Sequence, residues 1–199
     1  MKVLIGCEFS GTVRDAFRAR GHDAWSCDLL PTEVPGPHIE GDALAILDQG
    51  WDLAVFHPPC TRLANSGVRW LYTEGRGSVQ NPEMWQAMLD GVEFFNALWA
   101  APIPQIAIEN PIMHRHAKAR ITAGEQSQII QPFQFGDPYQ KATCLWLKNL
   151  PQLVPSNIVE GREQKCWNES PSPDRWKNRS KTYQGIADAM AAQWSPLLV

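Results

Sequence analysis

The chain has 199 residues, 44% of them hydrophobic and 20% charged, with a formal net charge of −3. That length suits one substantial domain rather than two, and the charge balance excludes a globally basic nucleic-acid footprint. No apolar run approaches the ~18 residues of a membrane span, and the amino terminus enters a strand rather than a signal peptide, so a cytoplasmic protein is expected.

In chain order, KVLIG reads as a first strand. A helix follows, with Ser10 as candidate N-cap, Val13 and Phe17 on one face, and Gly21 as the stop. HDAWSCDLL is a second strand ending near Asp28, and a Pro/Gly-rich loop leads to IEGDALAIL, a short strand or turn with a brief helix. Leu53 to Phe56 is a strand without alternation, hence buried on both faces. Pro58 and Pro59 cannot continue the ladder and hold the next residues extended. A polar loop runs to about Gln80. From Pro82 a helix carries Trp85, Met88, Leu89, Val92, Phe95 and Trp99 on one apolar face. IPQIAIENP is a fifth strand, and QIIQPFQF and ATCLWL are two more. Residues 149 to 181 lack any period and read as a loop or small irregular insert. YQGIADAMAAQW closes the chain as a helix. The alternation predicts a single α/β domain over 1–199, a mostly parallel sheet with helices on both faces.

Five cysteines, an odd number without a C-x-x-C pair, speak against a disulfide framework and against a zinc site of common spacing; no metal is expected. The charge is uneven: residues 151–181 carry six Lys/Arg against four acids, and residues 1–150 twelve against sixteen. Nine tryptophans fall partly in polar segments, where they suit either base stacking or the packing of a loop-rich surface. Glu8, Asp28, Asp42, Cys60 and Glu109 each follow a predicted strand. In a parallel sheet such ends share one edge, where ligands bind. Cys60 reads either as a small buried hydrophobe or as a nucleophile. A thiol attacking an electron-poor ring needs that ring protonated or hydrogen-bonded elsewhere, which Glu109 would do. His57, Arg62 and Lys141 are candidates to stabilise a thiolate, although His57 serves equally well as a residue that merely ends a strand.

HPPC followed about fifty residues later by IENP resembles the Pro-Pro-Cys and Glu-Asn-Val motifs of the cytosine-C5 DNA methyltransferases. VLIGCEFSG resembles their first motif, with Phe9 and Gly11 matching, and YQGIADAM resembles their last, with Tyr183, Ile186 and Ala189 identical. The resemblance runs from residue 3 to about 192 with the motifs in order. It implies a Rossmann-like S-adenosylmethionine-dependent methyltransferase fold acting on DNA through a covalent Cys60 adduct, with Glu109 and Lys141 as catalytic partners. It places the cofactor against Phe9, Ser10, Gly11, Asp28, Asp42, Pro58, Asp188 and Ala189. Asp28 would hold the ribose hydroxyls and Asp42 the adenine amino group.

Four departures bear on these expectations. The glycine-rich loop keeps only Gly11, followed by Thr12, Val13 and Arg14. Lys141 stands for the first arginine of the family's Gln-x-Arg-x-Arg strand without its bidentate fork, and Thr143 loses the second charge. Ala187 and Asp188 replace Gly-Asn in the last motif. Residues 144–182 hold no recognisable target-recognition domain, so the basic insert is either a reduced clamp on phosphates or a lid over a smaller substrate. The alternatives are a free cytidine nucleotide as substrate, a separate target-recognition subunit, or a non-catalytic relative that binds cofactor or nucleic acid.

Overall fold

The computed structural model describes residues 1–74 and 78–195. Its strands are β1 (Lys2–Gly6), β2 (Asp23–Asp28), β3 (His38–Glu40), β4 (Leu53–Phe56), β5 (Gln105–Pro111), β6 (Gln128–Ile130) and β7 (Thr143–Lys148). They form one sheet in the order β3-β2-β1-β4-β5-β7-β6. The first five are parallel to one another, and β7 runs antiparallel to both β5 and β6.

The strands show no hydrophobic alternation because both faces are covered. On one face Leu4, Phe56, Ile108 and Trp146 pack beneath α2 (Pro82–Trp99), where Phe95 meets Trp146 edge to face at 5.2 Å. On the other, Val3, Ile5, Val55, Ala107 and Leu145 pack against α1 (Thr12–Arg18) and, past three shorter helices, α6 (Gln184–Trp194). The buried stripe of α2 is Met88, Val92, Phe95 and Leu98; Trp85, Leu89 and Trp99, expected within it, lie half-buried along its border.

Three local features differ from the sequence reading. The N-cap of α1 is Gly11, at φ 76°, not Ser10. The Glu8 carboxylate caps the helix instead, accepting from the Val13 and Arg14 amides at 2.7 and 3.3 Å, and the Ser10 hydroxyl donates to that same carboxylate. The loop after β4 contains a 3₁₀ segment, Asn65–Leu71, whose Val68 and Leu71 are buried. The insert is not structureless: it holds α4 (Lys165–Asn168) and α5 (Arg175–Ser180), while α3 (Arg115–Lys118) follows β5. All three are too short to show a period in sequence. Among the described residues no helix is long and apolar enough to cross a membrane.

Candidate active site

Sheet register builds the centre of the site. In β4 and β5 Phe56 stands opposite Ile108, so the next residues, His57 and Glu109, emerge side by side. His57 Nδ1 donates to Glu109 Oε2 at 2.9 Å, with both side chains almost wholly buried. His57 is therefore more than a strand terminator; it is the hydrogen-bond partner of the expected catalytic acid. Because β7 runs backwards, its start lies at the carboxyl edge of the parallel strands, with Thr143 opposite Pro111. That reversal brings Lys141 into the field of Glu109.

The loop carrying Cys60 is braced from beneath. Asn110 Nδ2 donates to the Pro58 carbonyl at 3.1 Å, tying the end of β5 to the proline pair. The Leu63 and Ala64 amides both donate to the Cys60 carbonyl, closing a turn on the cysteine. Behind it, His114 accepts from the Ala117 amide through Nδ1 and donates through Nε2 to the Arg62 carbonyl. Arg62 thus contributes its main chain to the brace. Gly67 permits the close fold of this loop, since a Cβ there would stand 2.3 Å from the Thr61 carbonyl oxygen.

The electrostatics couple the two expected catalytic groups. Burial pushes the Cys60 thiol above its usual range and the Glu109 charge pushes it further, while Lys141 and Arg179 pull it down. Burial opposes the charge on Glu109, but the His57 hydrogen bond and the Lys141 ammonium outweigh it and hold that carboxyl below its usual range. In the resting site Glu109 is therefore an anion and Cys60 a thiol. Arg179 carries no sequence signal, because it sits in the aperiodic insert.

Solved structures carry the comparison that sequence does not: no protein-family model and no curated protein matches the chain. One matching structure, from E. coli, is described as a proposed DNA modification methyltransferase encoded within a prophage; it superposes with a TM-score of 0.52 at 12% identity. The match covers 86% of this chain and 56% of that one, so the chain spans little more than half the length of that neighbour. The strand order, the reversed β7 and this likeness agree. The fold is a Rossmann-like methyltransferase fold.

In open α/β sheets ligands bind outside the carboxyl ends of the strands, and β1, β2 and β3 all end on that edge. Cys7, Asp28 and Asp42 converge there. Burial raises the Cys7 thiol, and the charges of Asp28 and Asp42 raise it further. Asp28 is half-buried, its carboxyl raised by burial against the Leu30 amide, which donates to Oδ1 at 3.0 Å. Asp42 is exposed and caps the 3₁₀ turn Ala43–Ile46 through the Leu44 amide. Pro58 and Phe9 are buried at the same edge. These acids fit a ribose and an amine.

The turn after β1 fits less well. A Cβ on Gly11 would meet Arg14 Nη2 at 2.5 Å and Val34 at 2.7 Å, so the space beside the glycine is already filled. Arg14 is fully buried and binds Asp15, Ser26, Thr32 and the carbonyls of Val34 and Pro35. It clamps the loop over residues 29–37 onto α1. The two residues expected on α6 also have other partners. Ala189 is buried in the core against α1 and the sheet, and the exposed Asp188 takes the Gln184 amide at 2.9 Å.

Proposed function

We propose that this chain is an S-adenosylmethionine-dependent methyltransferase acting at carbon 5 of cytosine in DNA, with Cys60 as nucleophile. The observation that carries the reading is the convergence of Cys60, Glu109, His57 and Lys141 at the ends of adjacent strands. The methyltransferase fold supports it independently. Phe9, Asp28 and Asp42 would hold S-adenosylmethionine, which would supply an electrophilic methyl group.

The chain's own groups prepare the ring. Cys60, as thiolate, forms a bond to carbon 6, and Glu109 delivers a proton to N3, so that carbon 5 gains enamine character. The proton that Glu109 delivers is the one the Cys60 thiol gives up on ionising, while His57 Nδ1–H donates to the Glu109 carboxyl and orients it. Ionising the thiol and neutralising the carboxylate favour each other, because the Glu109 charge is one cause of the raised thiol pKa. Once carbon 5 carries the methyl group, loss of its proton to solvent expels Cys60 as thiolate, and N3 returns its proton to Glu109, restoring the ring.

Transfer of a labelled methyl group, offered to duplex DNA, single-stranded DNA and cytidine nucleotides beside a Cys60→Ala control, tests this. Label in DNA that disappears in the control is the expected result. The same chemistry on a free cytidine nucleotide is the second reading. It is favoured by the seating of α5 on the site, where Trp176 packs on Phe9 and Lys141 binds the Arg179 carbonyl. Label confined to the nucleotide would establish that reading. Absence of label in every substrate would sink both and leave a non-catalytic relative or an enzyme lacking a recognition subunit.

A further inference from the structure

α5 belongs to a segment with no hydrophobic period, yet it is fastened at three points. Trp176 lies on Phe9 with ring centroids 6.1 Å apart, Lys181 pairs with Glu33 at 2.7 Å, and the Lys141 ammonium donates to the Arg179 carbonyl at 3.0 Å. The backbone of Arg179 is therefore fixed beside the lysine that faces both Cys60 and Glu109. Its own Nε–H is buried and has no hydrogen-bond partner among the described residues. Buried donors are almost always paired, so a buried donor without an acceptor, held beside Lys141, is a place for an acceptor that arrives with a ligand. Two more buried polar atoms without a partner among the described residues, His57 Nε2 and Asn110 Oδ1, belong to the same site. Thr143 cannot supply a second cation from β7, since it is buried and its hydroxyl donates to the Lys141 carbonyl.

We propose that Arg179 is a substrate-contacting residue of the Cys60 site, donating from the insert to an oxygen of the pyrimidine nucleotide held against the thiol. This rests on the reading that Cys60 receives a pyrimidine. The insert then takes part in the site itself: the segment leading into β7 supplies one cation, Lys141, and α5 supplies the other. A guanidinium suits the task because its donors form a fixed fork that matches a phosphate or a ring carbonyl.

The test compares wild type with Arg179→Gln and Arg179→Lys, once their thermal midpoints show that they fold. One readout is KM and kcat for methyl transfer. The other, independent of methyl transfer, is protection of Cys60 from iodoacetamide by deoxycytidine, by deoxycytidine monophosphate and by a short cytosine-containing oligodeoxynucleotide, resolved by peptide mass spectrometry. Arg179→Gln is expected to raise KM and weaken protection about 10- to 100-fold, the size of one hydrogen bond to a charged group, with part restored in Arg179→Lys. Weakening with deoxycytidine itself assigns the contact to the ring carbonyl; weakening only with the two phosphorylated probes assigns it to phosphate. Protection and KM within twofold of wild type in Arg179→Gln would overturn the proposal. Nucleotides that protect wild type but not Arg179→Gln, in a protein that methylates nothing, would uphold Arg179 as a ligand contact and remove the methyl-transfer reading instead.

Discussion

Glu109→Gln is expected to lower methyl transfer by about 10²–10⁴-fold, the usual share of a positioned general acid, while making Cys60 easier to ionise. The two effects have opposite signs and one cause. The amide matches the carboxyl in shape and can still accept from His57, but it has no proton to deliver to N3. Removing the anion also removes one of the two causes that raise the Cys60 thiol. The alkaline limb of Cys60 alkylation, followed at the peptide level, should therefore move to lower pH in Glu109→Gln. A limb that stays in place or moves upward would show that the two groups are not coupled. The carboxylate also leaves a mark on stability. Its folded-state pKa lies below the ordinary carboxylate value, so its contribution is fully present above that value and is lost as pH falls through the depressed one. Wild type should accordingly lose more stability than Glu109→Gln on acidification from about pH 5 to 3, as read from urea midpoints.

The second large effect is on the fold. Arg14→Met should destabilise the protein by about 2–4 kcal/mol, the range for losing hydrogen bonds to a buried charge with the apolar stem largely replaced. The guanidinium meets both Asp15 carboxylate oxygens, at 2.8 and 3.2 Å, and reaches Ser26, Thr32 and two loop carbonyls within 3.4 Å. Methionine offers none of these partners a donor, and it also detaches the loop over residues 29–37 from α1. For a chain of this length the melting temperature should fall by about 5–15 °C, with faster amide exchange in that loop. A fall under about 2 °C would mean that the clamp carries little of the stability.

Strand ends were legible because each is marked locally: an apolar run followed by a polar residue or proline identifies Glu8, Asp28, Cys60 and Glu109 without any partner. His57 was ambiguous for the opposite reason. Its role depends on the register of β4 against β5, which no local pattern encodes. Arg14 read only as a missing glycine, whereas its function is set by side chains and carbonyls contributed as far along the chain as Pro35. Arg179 had no signal at all, since its place comes from Trp176 on Phe9 and Lys181 on Glu33, contacts that span most of the sequence. Ser10 had the right chemistry for a cap, but the longer Glu8 side chain reaches the helix amides and leaves the serine hydroxyl to bind the carboxylate.

The outermost strands, β3 and β6, are each three residues long, and every longer strand lies inside the sheet. A sheet margin is a template for recruiting another chain, and its hazard grows with the length of backbone it leaves unpaired. Here each margin offers little more than one repeat of the ladder, too short to seed a fibril or a strand-exchanged dimer. The exposed Ile129 on β6 is flanked by glutamine and a buried isoleucine rather than by further exposed apolar residues. Its colloidal behaviour should thus be set by surface charge, with the sheet margins taking little part.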